Sequence, residues 1–171
     1  MENSFLKSYA AILKPKKLLE IKIHNGENLA LMSSLGFECE GIDPNPKNVE
    51  KAQQLAKDKQ LSFQAKTQNL DFYLVPLMKY DTILMTYFRP QPRFFSEIKR
   101  GLVMKGTFLL EAYTVEHYKT LPTSQEELPF DQCYKDNEVL NLLKGFHVLY
   151  YKELKEGNKT LVQAIAEKKE A

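Results

Sequence analysis

The sequence predicts an α/β domain on a mostly parallel sheet, with helices on both faces and an antiparallel edge at its C-terminal end. Three observations carry this prediction. Strand-like and helix-like segments alternate from the N-terminus through residue 112, the order that builds parallel βαβ units with right-handed crossovers. The second strand-like segment closes on an acid, Asp43. The last two strand-like segments flank Gly157-Asn158, as hairpin strands do.

The elements follow in order. Phe5, Leu6, Tyr9, Ile12 and Leu13 share one helical face, with Asn3 or Ser4 as cap and Pro15 as stop. Lys17 to Ile23 reads as the first strand, and Asn25-Gly26 as a turn. Asn28 to Leu35 is helical, with Gly36 as its C-terminal stop. Phe37 to Ile42 is the second strand. Asn45 caps the next helix and Pro46 takes its first position; Val49, Ala52, Leu55 and Ala56 form its inward stripe. Leu61 to Ala65 is a third strand and Tyr80 to Tyr87 a fourth. Phe94, Phe95, Ile98 and Leu102 mark an amphipathic helix, and Thr107 to Ala112 a fifth strand. Tyr113 to Asp136 is polar and irregular, with Pro122 and Pro129. Asn137 to Leu143 is a short helix, Val148 to Glu153 and Thr160 to Ala166 are the closing strands, and the tail from Glu167 to Ala171 is charged.

The 171 residues suit one domain, read as residues 1–171. Apolar residues make up 43%, which excludes a disordered chain. With no Trp, ten Phe and nine Tyr supply the aromatic core. The balance of 24 basic and 22 acidic side chains gives no reason to expect nucleic acid or a membrane as partner. Neither a signal core nor a membrane-spanning run is present, so a cytoplasmic protein is expected. Cys39, in an apolar strand, is expected to be buried; Cys133 falls in a polar loop. Neither belongs to a CxxC or zinc pattern, which fits a reducing compartment.

In such sheets ligands bind beyond the carboxyl ends of the strands. Four segments fall there: Glu20 to Asn28, Asp43, Gln68 to Phe72, and Met85 to Phe88. An acid ending the second strand can accept both hydroxyls of a ribose. Alone, Asp43 reads as a turn acid; with this strand order it points to a nucleoside. His24 has no second metal ligand nearby, and His117 and His147 are isolated surface or strand residues. Tyr87, Phe88, Phe94 and Phe95 line an acceptor pocket or the core. Glu111 and Tyr113 face the site or solvent, and Arg89 holds an anionic acceptor or lies on the surface.

These segments resemble a known family. FLKSY (Phe5 to Tyr9), ENLALMSSLGFECEGIDPNP (Glu27 to Pro46), YDTILMTYF (Tyr80 to Phe88) and VMKGTFLLEAYT (Val103 to Thr114) are similar to the tellurite-resistance and thiopurine-methyltransferase-like branch of class I methyltransferases. The resemblance implies a Rossmann-like class I methyltransferase fold, with S-adenosylmethionine as cofactor and a small-molecule acceptor such as a thiol or a tellurium or selenium species. It implies that Glu20 is the acid of the first motif and Asp43 the ribose acid. It places Asn69 and Leu70 beside the adenine, and Thr86 and Tyr87 along the methionine part. The motif's glycines fall at Lys22, His24 and Gly26, so two of three are replaced.

Glycine there permits positive φ and leaves room for the ligand. A lysine also sets a cation beside a cationic sulfonium. Three readings follow. A methyltransferase with a variant loop requires Asp43, Thr86 and an open loop. A catalytically inactive relative, acting as a binding or interaction protein with a possible protein partner, predicts an occluded pocket and an apolar surface patch. An anion site made by Lys22 and His24 at the helix N-terminus predicts salt-sensitive phosphate binding.

Overall fold

The computed structural model describes residues 3–121 and 128–170. Its elements run α1 (Ser4–Tyr9), β1 (Lys17–Ile21), α2 (Glu27–Ser34), β2 (Glu38–Asp43), α3 (Pro46–Asp58), β3 (Gln64–Thr67), β4 (Tyr80–Thr86), α4 (Phe94–Gly101), β5 (Leu102–Tyr113), α5 (Val115–Thr120), α6 (Glu138–Leu142), β6 (Phe146–Glu156) and β7 (Lys159–Lys168). The seven strands form one sheet in the order β3-β2-β1-β4-β5-β7-β6. The first five are parallel, and β7 pairs antiparallel with both β5 and β6. The order reverses between β1 and β4, which makes the space beyond those two strand ends the natural site for a ligand.

Alternation along the central strands builds the two faces. Leu19, Ile21, Ile83, Met85, Phe108 and Leu110 pack with Phe94, Phe95 and Ile98 of α4. Leu18, Leu84 and Leu109 point the other way, against Phe5 and Leu6 of α1, Leu29 and Met32 of α2, and Val49 and Ala52 of α3. Caps fix the helix starts: Asn3 accepts from the Leu6 N–H and Asn45 from the Lys47 N–H.

Several expectations shift. After α1 the chain tightens into a 3-10 turn, Ala10–Ile12, which rotates Ile12 off the expected apolar face and exposes it. β1 stops at Ile21, because Lys22 turns into the left-handed region with φ 67°. β3 lies at Gln64–Thr67 rather than Leu61 to Ala65, since its pairing runs from Glu40↔Gln64 to Asp43↔Thr67. The end of β2, not the apolar run, sets that register. β5 and the last two strands are longer than expected.

The segment from Tyr113 to Asp136 is less irregular than its composition suggests. It holds α5 and a 3-10 turn at Phe130–Gln132, and Pro122 lies outside the described residues. Cys133 is buried rather than in a polar loop, as is Tyr134. Hydrogen bonds from the Tyr134 N–H to the Tyr113 carbonyl and from the Val115 N–H to the Tyr134 carbonyl stitch this stretch to the end of β5. Cys39 is buried as expected. No helix among the described residues is long and apolar enough to cross a membrane.

Candidate functional site

The loop between β1 and α2 keeps a glycine-type backbone without the glycines. Lys22, His24 and Gly26 have φ of 67°, 55° and 85°. These are the three positions to which the resemblance assigns glycines, and all three are left-handed although two are not glycine. Backbone groups hold the path: the Lys22 N–H donates to the Ile42 carbonyl (2.8 Å), the His24 N–H to Asp43 Oδ2 (3.1 Å) and the Gly26 N–H to the Ile23 carbonyl (2.9 Å). Each non-glycine residue held there costs roughly 1 kcal/mol. Gly26 also has a steric reason, since a Cβ would stand 2.6 Å from the Ala52 Cβ where α2 meets α3.

The Lys22 side chain is directed at Asp43 and that of His24 at the end of β4. The Lys22 ammonium lies 4.0 Å from Asp43 Oδ1 and 5.9 Å from the centre of the Phe88 ring. His24 Nε2 is 2.8 Å from the Thr86 carbonyl at the end of β4. A carbonyl cannot donate, so Nε2 carries the proton in that bond. Asp43 is fully buried. Its Oδ1 accepts from the Asn45 N–H (2.9 Å) and Asn48 Nδ2 (3.2 Å), and its Oδ2 from His24. Three of its about four acceptor sites are thereby taken.

Behind this pair sits Glu20, with no exposed surface. Oε1 accepts from Asn28 Nδ2 at 2.8 Å, and the same amide lies 3.3 Å from Thr86 Oγ1. Oε2 has no partner among the described residues. Burial pushes the carboxyl up to about 8; Asp43 adds to the rise and Asn28 opposes it. Burial thus favours the neutral form of Glu20.

On the other side of His24 a cleft of about 630 Å³ opens, lined by Asn3, Asn28, Thr86, Tyr87, Glu111 and Lys159 among others. Glu111 is buried and organises this wall. Oε1 accepts from Asn3 Nδ2 (2.8 Å) and the Tyr87 hydroxyl (2.7 Å), and Oε2 from Gln163 Nε2 (2.6 Å). Tyr87 is also left-handed, with φ 51°, and Lys159 Nζ stands 5.7 Å from its ring centre. Burial and then Glu111 raise the Tyr87 phenol far above its ordinary value, so it acts as a donor.

The structure thus gathers Glu20, Lys22, His24, Gly26, Asp43 and Thr86 into one constellation. It does not bring Asn69 and Leu70 to the cleft. Leu70 is core, and Asn69 turns back to accept from the Asp71 N–H. Arg89 is bound to Glu138 and to the Asp131 carbonyl, so it is not an open anion site. His117 is buried, stacked 4.4 Å from Tyr113, and its Nδ1 accepts from the Thr160 N–H. This corrects its reading as a surface or strand residue. His147 sits in β6, on the surface. Phe94 and Phe95 are core, and Phe88 lies beneath Lys22. No three metal-ligating side chains converge among the described residues. Two contributors escaped sequence reasoning. Asn48 lies one turn into α3, facing Asp43, and the Asn-x-x-Asn spacing after the strand-ending acid is its signal. Asn3 meets Glu111 across 108 residues, for which no local signal exists.

S-adenosylmethionine does not fit this arrangement of side chains. Asp43, the acid to which a ribose would bind, is buried with the Lys22 ammonium 4.0 Å from Oδ1. The passage between the loop and β4 is bridged by His24. Lys22 and the cofactor's sulfonium carry the same charge, and burial disfavours the charged form of Glu20 that would offset them.

The family model for the tellurite resistance protein TehB matches residues 2–164. No curated protein matches in sequence. TehB from Haemophilus influenzae superposes with a TM-score of 0.78 at 19% identity, over 98% of this chain and 63% of that one, so this chain spans just under two thirds of its length. A SAM-dependent methyltransferase from Methanosarcina mazei gives 0.77 at 20% identity, over 98% of both chains. The [4+2]-cyclase SpnF gives 0.78 at 12% identity, over 98% of this chain and 79% of that one. Identities this low speak to fold alone. The match of the family model along nearly the whole sequence goes further: the fold is that of the class I methyltransferases, and the chain belongs to the family of the tellurite resistance protein TehB.

Proposed function

We propose that this protein is a non-catalytic member of its family, which holds a small polar molecule in the cleft beside Glu111 and Tyr87 and does not transfer methyl groups from S-adenosylmethionine. One observation carries the reading: Lys22 covers Asp43 and His24 bridges to Thr86, so the protein's own side chains stand where the cofactor would bind. The remaining cleft is large enough for a metabolite. Its mixed lining offers donors from Asn3 and Lys159 and acceptors from Thr86 and Glu111. The exposed Phe72, Leu74, Leu77 and Met78 between β3 and β4 support a protein contact as well. Fold alone does not argue for methyl transfer, and the family's fold neighbours include a named cyclase.

A second reading has support of its own. The left-handed backbone at residues 22, 24 and 26 still traces the family's cofactor loop. If Lys22 and His24 swing out on binding, methyl transfer to a small thiol or chalcogen acceptor follows, governed by positioning. The hydrogen bond to be broken at Thr86 is worth only about 1 kcal/mol. The phosphate reading has less support, because Lys22 is directed at a carboxylate. Calorimetric titration of the wild-type protein with S-adenosylmethionine separates the first two. No saturable heat at millimolar cofactor is expected. Micromolar binding would overturn the non-catalytic reading and support the second.

A further inference from the structure

We propose that Lys22 and His24 plug a cofactor site that is otherwise intact, and that two glycines would reopen it. This rests on the non-catalytic reading and extends it, by assigning the loss of the cofactor to two side chains rather than to a decayed fold. The backbone between β1 and α2 is the first argument. Residues 22, 24 and 26 are all left-handed, and the hydrogen bonds that hold them are made by main-chain N–H groups, which any residue but proline supplies. Glycine at 22 and 24 would take the same path with less strain.

The surroundings are the second argument. Glu20, Asn28 and Asp43 stand at the ends of their elements, and Asp43 Oδ2 has accepted one donor where it has room for two. Glu20 Oε2, buried and without a partner, marks an interior polar environment that the present side chains leave unsatisfied. Lys22 lies over Asp43 and His24 reaches the Thr86 carbonyl, while Asn28 and Asn48, which also touch Thr86 and Asp43, belong to the helices that frame the site. Removing both side chains takes away the cation over Asp43 and the imidazole at the Thr86 carbonyl, and leaves the three hydrogen bonds to Asp43 in place. The ligand class for the reopened site is an adenosyl thioether or sulfonium.

The test is calorimetric titration of wild type and the Lys22→Gly/His24→Gly double variant with S-adenosylmethionine, S-adenosylhomocysteine and adenosine, with melting curves for each protein. The double variant is expected to melt no lower than wild type and to bind S-adenosylhomocysteine at least about tenfold more tightly. S-adenosylmethionine should follow, since Lys22 no longer repels it. A folded double variant that binds none of the three overturns the plug. Equal affinities in the two proteins also overturn it, and if those affinities are micromolar the non-catalytic reading falls with it. Micromolar binding by wild type and clearly tighter binding by the variant keeps the plug while overturning the non-catalytic reading. If the double variant melts early, Lys22→Ala/His24→Ala, which keeps a Cβ at both positions, takes its place under the same criteria.

Discussion

Lys22 and Asp43 form a contact between the loop after β1 and the end of β2, with ammonium and carboxylate 4.0 Å apart and the carboxylate buried. The two partners depend on each other unequally. Asp43 also gathers Asn45, Asn48 and His24, tying the start of α3 to the loop after β1. Lys22 keeps part of its side chain in water.

Removing the hub should therefore cost more than removing the cation. Asp43→Ala leaves three donors without their acceptor and is expected to lower unfolding free energy by about 3 kcal/mol. Lys22→Ala is expected to cost about 1 kcal/mol or less. Urea denaturation of both variants measures the difference. Equal losses would mean that the ion pair, not the hydrogen-bonded hub, is what Asp43 contributes. Lost ligand binding in Asp43→Ala is interpretable only beside that measurement.

Glu20 makes stability depend on pH in an unusual direction. Its folded pKa, about 8, lies above the ordinary 4.5. Between those values the folded state binds more protons than the unfolded one, so stability falls as pH rises through that window and then levels off. The usual paired carboxylate does the reverse. Glu20→Gln, always neutral, should melt close to wild type near the lower value and clearly above it near the upper one. Parallel melting curves across the window would show that Glu20 is ionised in the folded protein.

Glu111 links three distant parts of the chain. Asn3 at the cap of α1, Tyr87 after β4 and Gln163 in β7 all donate to it. Glu111→Ala should loosen the N-terminal helix before the sheet. Amide exchange in residues 4–9 is expected to quicken about tenfold or more, with β1 and β4 unchanged. Uniform acceleration across the sheet would instead mark Glu111 as a general core residue. Tyr87→Phe, which removes one of the three donors, should give a smaller change of the same kind.

The legible and the hidden parts of this protein divide along physical lines. The alternation of strands and helices, the acid ending β2 and the helix caps were readable because each is encoded within a few residues. The conformation of Lys22 and His24 was not, since lysine carries no local preference for positive φ, and hydrogen bonds to Ile42 and Asp43 impose it. β3 was displaced because pairing with β2 overrode its apolar run. Burial of Cys133 and His117 was hidden for a similar reason, as polar neighbours mask a segment that is stitched to β5 and β7 by backbone bonds. The Glu111 cluster needs three-dimensional contact between residues as far apart as 3 and 111.

Gly26 and Gly36 allow the two roles of glycine to be separated. Both are left-handed, with φ of +85° and +95°. A Cβ at Gly36 would meet nothing within 4 Å, whereas at Gly26 it would overlap Ala52 at 2.6 Å and 2.9 Å. Gly36→Ala thus reports backbone strain alone, roughly 1 kcal/mol. Gly26→Ala adds the overlap of two helices with backbone on one side, where neither partner is a flexible side-chain tip, and should cost about 3 kcal/mol or more in total. Denaturant unfolding of the two variants gives the difference directly. If the costs match, α2 and α3 separate easily, and the close approach at Ala52 does not hold the loop in place. If Gly26→Ala is much the worse, that approach fixes the end of the loop, and with it the positions from which Lys22 reaches Asp43 and His24 the end of β4.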